Sequence, residues 1–211
     1  MERYLITQSL LASWQYMFDC PEGYEEEARE AFERTLCRLP QEPTEAIRNG
    51  IDFENAVYAV AAGDQAQDLP ILQTHPEWES GVRKIASALL GAPVQVRLSR
   101  ELEVAGWHLL CYGVLDAVKA GVIYDVKFSN RPLGSIEAAG KYLDSPQHPM
   151  YFYLCPEAYA FHYLLSDGDD VYVEAYRRGN RDTVRNVIVE FVTSLKSSGY
   201  VQAYMEHWKA Q

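Results

Sequence analysis

Apolar residues recur at three- and four-residue spacing through residues 7–18 and 24–38, with Pro21 and Gly23 between them, which predicts two helices. From Glu42 to Ala62 the positions Ile47, Ile51, Ala56, Val57 and Val60 continue that period, with Gly50 either inside one helix or at the join of two shorter ones. Residues 64–76 read as a loop, and Glu77 to Leu90 as a further helix stopped by Gly91 and Pro93. The period then changes. Val94 to Val104, Trp107 to Val118 and Val122 to Phe128 are β-rich runs parted by Ala105-Gly106 and Ala120-Gly121, which predicts an antiparallel meander. A helix is expected from Ser145-Pro146 to about Leu154, since Pro149 is tolerated only near a first turn. Ala158 to Leu165 and Val171 to Tyr176 flank Ser166-Asp167-Gly168-Asp169-Asp170 as a hairpin, and two closing helices run from Asp182 to Leu195 and from Val201 to Lys209.

The meander carries the most informative residues. Side chains alternate faces along a strand, so Asp125 and Lys127 share one side while Tyr124, Val126 and Phe128 share the other. An acid and an amine on one face of so apolar a strand cost free energy unless they pair with each other or hold an ion. The bland alternative is a buried ion pair, with Asp116 merely closing the preceding strand.

The chain of 211 residues suits one substantial domain: residues 1–92 mainly helical, 93–176 holding the sheet and one helix, and 177–211 the closing helices. An α/β fold is expected, a small sheet with its first three strands antiparallel and helices flanking it. No apolar run approaches the roughly 20 residues that span a bilayer, and the amino terminus lacks a basic-then-apolar leader, so no membrane association is expected and the cytoplasm is the expected compartment. Cys20, Cys37, Cys111 and Cys155 stand far apart with no paired spacing, which argues against a zinc knuckle or a disulfide framework and for mostly buried thiols.

The formal net charge of −11 is unfavourable for holding a polyphosphate, yet it is unevenly spread. Residues 1–60 carry 12 acids and 5 bases, a balance of −7, whereas residues 111–211 carry 12 acids and 10 bases, a balance of −2. The run from Tyr176 to Arg185 clusters Arg177, Arg178, Arg181 and Arg185, either as a solvated loop or as a phosphate-binding patch. Tyrosines at 142, 151, 153, 159, 163, 172 and 176 are either core residues or stacking surfaces for bases.

Asp116 within Gly113-Val114-Leu115-Asp116, then Asp125-Val126-Lys127, with Glu54 upstream in Gly50-Ile51-Asp52-Phe53-Glu54 and Gln147-His148-Pro149-Met150-Tyr151 downstream, resembles the PD-(D/E)xK nuclease superfamily, in particular its RecB-like and phage exonuclease branch. Ser-Leu-Leu-Ala-Ser-Trp at residues 9–14, followed by Cys20-Pro21, is similar to the opening helix of such nucleases. The resemblance spans roughly residues 7–176, and the order and spacing of short motifs carry it. It implies a restriction-endonuclease-like core, a small mixed β-sheet flanked by helices. It further implies Mg2+ or Mn2+ held by Glu54, Asp116, Asp125 and the Val126 carbonyl, and catalysis by Asp116, Asp125 and Lys127 with Gln147 and Tyr151 beside them. Hard divalent cations prefer oxygen ligands, which fits that donor set.

The resemblance also implies hydrolysis of DNA phosphodiester bonds, exonucleolytic rather than endonucleolytic, in phage or prophage recombination or DNA processing inside a bacterial host cell. DNA is the expected partner, with a second copy of the chain or a phage recombination protein as further candidates. Iron-sulfur nucleases of this superfamily place one cysteine early and three late, and only Cys155 lies beyond the catalytic strands here, so no cluster is expected. Asp52 and Glu45 compete with Glu54 for its role, Glu101 and Glu103 are candidate supporting acids, and His148 is notable only for adjoining Gln147. A catalytically inactive protein of the same fold, binding DNA or a partner or imitating DNA, is the rival reading.

Overall fold

A computed structural model describes residues 2–135, 139–179 and 183–210. The chain adopts a mixed six-stranded sheet flanked by helices, the α/β arrangement of a restriction-endonuclease-like core. Three strands match the expected meander closely: β2 (Val94–Val104), β3 (Trp107–Lys119) and β4 (Val122–Phe128), all paired antiparallel. The hairpin of β5 (Ala160–Ser166) and β6 (Val171–Arg177) extends the sheet, with β5 parallel to β4. One strand was not anticipated: β1 (Tyr4–Thr7) pairs parallel with residues 109–112 of β3, and Thr7 then caps α1 (Gln8–Asp19) by accepting a bond from the Leu10 amide at 3.3 Å. The far end of the chain returns to this strand, where the Leu5 amide donates to the Trp208 carbonyl at 2.6 Å and the Trp208 indole donates to the Leu36 carbonyl at 2.7 Å.

The helices are α2 (Glu25–Leu36), α3 (Glu45–Ala62), α4 (Pro70–Thr74), α5 (Glu79–Leu89), α6 (Gln147–Leu154), α7 (Thr183–Ser197) and α8 (Val201–His207). Helix α3 is continuous through Gly50, started by the Thr44 side chain and stopped by Gly63 in the left-handed region. The expected loop at 64–76 is corrected: Ala66–Asp68 and Pro76–Trp78 form 3-10 turns around α4, because Ala66, Leu72 and Trp78 must be buried. Only Cys111 is buried, while Cys20, Cys37 and Cys155 are half-buried, which corrects the expectation of mostly buried thiols. Asn180, Arg181 and Asp182, and with them the expected start of the helix from Asp182, lie outside the described residues.

Two apolar clusters sandwich the sheet. On one side Phe53, Ala56 and Val57 of α3 and Val82, Ile85 and Leu89 of α5 pack on Ala117, Val126 and Leu164. On the other, Met150, Tyr151 and Leu154 of α6 join α1 and α7 against Leu115, Ile123 and Phe161. Helices α3 and α6 therefore approach β3 and β4 from opposite faces. Among the described residues, no helix is long and apolar enough to cross a membrane.

Candidate functional site

Strand β2 runs along one edge of β3, while β1 and β4 share its other edge in succession: β1 pairs with residues 109–112 and β4 with residues 117–119. The stretch Gly113-Val114-Leu115-Asp116 lies between them with no strand on that side. Its backbone polar groups need partners from elsewhere. The Tyr151 hydroxyl donates to the Val114 carbonyl at 2.9 Å, and the Asp116 carboxylate accepts the Val126 amide at 2.9 Å. Tyr151 crosses directly over Gly113, where an added Cβ would sit 2.6 Å from its ring. The G-x-x-D spacing thus marks the place where the sheet opens.

Asp116 and Asp125 are next in line after the Ala117–Tyr124 pair, at the mouth of that opening. Asp125 is 1% exposed. Its Oδ1 accepts the Gln147 amide at 2.5 Å and its Oδ2 lies 2.5 Å from Lys127 Nζ, an ion pair in which Oδ2 accepts no regularly oriented hydrogen bond. Burial alone would lower the Lys127 pKa, but Asp125 and Asp116 outweigh it and hold the ammonium above the ordinary lysine value. For Asp116, burial and then the charges of Asp125 and Glu54 push the pKa well above the usual carboxylate range. Glu54 is raised too, by burial and then Asp125, although its Oε1 accepts the Tyr58 hydroxyl at 2.6 Å and the Gln95 amide at 3.2 Å.

Of the six side chains singled out in the sequence, Lys127 and, from α6, Gln147 touch Asp125; Asp116 and Glu54 of α3 lie near enough to feel its charge and each other's; and Tyr151 bonds the neighbouring Val114 carbonyl. They are not yet a finished cation site. Among the described residues no three His, Cys, Asp or Glu side chains are gathered to hold a metal ion, and internal donors engage Asp116, Asp125 and Glu54. The donor chemistry nevertheless fits a divalent ion. Burial and mutual repulsion raise the pKa values of Asp116 and Glu54, and Asp125 Oδ2 is buried without a regular hydrogen bond, a crowding of oxygens that a divalent ion would relieve. The Tyr151 hydroxyl is committed to Val114, and burial, then Asp125 and Asp116, raise its pKa, so it remains protonated.

Several candidates lie elsewhere. Glu45 and Asp52 are exposed, whereas Glu54 borders the buried face of α3. Glu101 pairs with Arg3 at 2.7 Å and Glu103 with His108 at 3.5 Å, so neither supports the site. Arg178 lies in an exposed loop, as one of the two readings had it, but its guanidinium is engaged: it donates to the carbonyls of Phe152, Cys155 and Ala158 at 2.6, 2.7 and 2.8 Å, holding the end of α6. His148 stacks on Tyr176 with ring centroids 4.2 Å apart, and burial lowers its pKa to about 4.

Other residues were missed. The pairing places Asp125, Tyr163 and Glu174 in one row across β4, β5 and β6, and Glu174 is 8% exposed with its Oε2 unbonded. Tyr58 and Gln95, the two donors to Glu54, were also missed. Tyr58 was within reach of the sequence, standing four residues after Glu54 on a helix.

No family model matches the chain, and no curated protein matches it significantly. Solved structures do. That of SSO0001 aligns with a TM-score of 0.55 and 13% identity over 92% of this chain and 78% of its own. LHK-Exo in complex with dAMP aligns with a TM-score of 0.48 and 12% identity over 92% of this chain and 88% of its own. At these identities the likeness is one of fold, and it is the SSO0001 structure that carries it.

Proposed function

We propose that the chain, as one nuclease-like domain over residues 1–211, hydrolyses DNA phosphodiester bonds with Mg2+ or Mn2+, and acts as an exonuclease of phage or prophage type in recombination or DNA processing. The observation that carries this reading is the meeting of Glu54, Asp116, Asp125, Lys127 and Gln147 where β3 and β4 part. Glu54, Asp116, Asp125 and the Val126 carbonyl are the groups that would hold the metal, which when bound supplies Lewis acidity for the phosphate and for a water. Lys127, charged at any ordinary pH, orients that water and stabilises charge developing on the phosphate oxygens. A role as base would need a large downward shift, which the flanking carboxylates oppose. Gln147 fixes the Asp125 carboxylate, and Tyr151 fixes the opened strand, so both position the reacting groups rather than exchange protons.

One observation favours a second reading. The carboxylates are already engaged by internal donors, as in a protein of this fold that binds DNA or a partner without cutting. Purified protein incubated with Mn2+ and end-labelled single-stranded, duplex or nicked DNA separates the two. The nuclease reading expects cleavage by the parent and none by Asp125→Ala, with closed circular DNA spared if digestion is exonucleolytic. Intact DNA in every case would leave the binding reading standing.

A further inference from the structure

We propose that Gln95 is a positioning residue for Glu54: it fixes that carboxylate at the opening beside Asp116 through a neutral hydrogen bond. The proposal rests on the cation-binding reading above. Strand pairing joins Val94 to Ala117 and Val96 to Leu115 but skips Gln95, which falls across from Asp116. Its backbone is left-handed, with φ +52°, a conformation that disfavours side chains and that glycine adopts freely. Gln95 is exposed, so packing does not explain its presence.

Its amide does explain it. Nε2 donates at 3.2 Å to Glu54 Oε1 and at 3.2 Å to the Tyr58 hydroxyl, which itself donates to the same Oε1 at 2.6 Å. The three groups form a closed triangle that steadies Glu54 through one oxygen, leaving Oε2 outside it. The chemistry differs from that at Asp125, where the partner is the charged Lys127. A lysine at position 95 would cancel the Glu54 charge and compete with a cation for it. A neutral amide orients the carboxylate while its charge remains available to a divalent ion.

Glycine at 95 separates the two kinds of role, since it relieves the backbone while removing the amide. Mn2+ binding to the full chain is measured by titration calorimetry for the parent, Gln95→Gly, Tyr58→Phe and Glu54→Gln, with thermal unfolding in parallel. The expected result for Gln95→Gly is a melting temperature equal to or above the parent's, with Mn2+ bound about tenfold more weakly. Half-saturation of any cleavage shifts to higher Mn2+, with little change in rate at saturation. Tyr58→Phe weakens binding in the same direction. Parent-like Mn2+ affinity in Gln95→Gly, alongside a clear loss in Glu54→Gln, overturns the role of Gln95 and leaves the site reading intact. No Mn2+ binding by the parent overturns both.

Discussion

Gly113→Ala tests why the G-x-x-D stretch begins with glycine. The new methyl would lie 2.6 Å from Tyr151 Cε1, 2.9 Å from Leu154 Cδ1 and 3.3 Å from Tyr151 Cδ1, where ordinary contact begins at 3.4 Å. The ring must therefore retreat by 3.4 − 2.6 = 0.8 Å. Tyr151 and Leu154 are 4% and 5% exposed, so there is no free space to receive it. Overpacking of this kind costs about 1–3 kcal/mol. The retreat also breaks the Tyr151 bond to the Val114 carbonyl, worth about 1 kcal/mol. Together they come to about 2–4 kcal/mol, a fall of roughly 5–15 °C in Tm for a chain of this size. Denaturant unfolding of the parent, Gly113→Ala, Tyr151→Ala and the double variant gives the cycle. The two changes should be non-additive by more than about 1 kcal/mol, because the alanine meets no ring once Tyr151 is truncated. A Gly113→Ala variant within about 0.5 kcal/mol of the parent, or strict additivity, would refute the packing account of this motif.

Asp116→Asn should abolish cleavage yet stabilise the metal-free protein at pH 8 by about 0.5–2 kcal/mol, seen by calorimetry, because it removes a buried charge repelled by Asp125 and Glu54 while keeping an oxygen for the Val126 amide. A carboxyl whose pKa is raised by folding disfavours the fold above that pKa. The advantage should accordingly shrink as pH falls through the raised value and vanish once the carboxyl is protonated folded and unfolded alike. Arg178→Ala should cost about 1–3 kcal/mol in denaturant unfolding by removing the donors to the carbonyls of Phe152, Cys155 and Ala158, whereas Arg177→Ala, at a likewise exposed position, should stay within about 0.5 kcal/mol of the parent.

The strands around the site were legible because period-two patterning and the Ala105-Gly106 and Ala120-Gly121 turns agree with one another, and β2, β3 and β4 follow them to within a residue. The helical period alone did not separate Glu54 from Asp52, since both adjoin the buried face that Phe53, Ala56 and Val57 define; the fold does, leaving Asp52 exposed while Glu54 is half-buried and accepts bonds from Tyr58 and Gln95. What remained hidden depends on pairings distant in sequence. Strand β1 is four residues long, merges into a helix, and finds its partner about a hundred residues away. Gln95 reads as one more polar strand position, because its significance comes from a skipped pairing and a left-handed backbone. Arg178 sits in a basic run that invites a phosphate-binding reading, and only the fold carries its guanidinium to the end of α6.

The central claim, that Glu54, Asp116 and Asp125 are the ligands of one divalent cation, is tested most directly by a crystal structure of the protein soaked in Mn2+, using the metal's anomalous scattering. The account predicts a peak between the three carboxylates, near the Val126 carbonyl, with Lys127 turned from Asp125 and Gln95 still bonded to Glu54. An opening with no anomalous density at saturating Mn2+, its acids still held by Gln147, Lys127 and the Val126 amide, would contradict it.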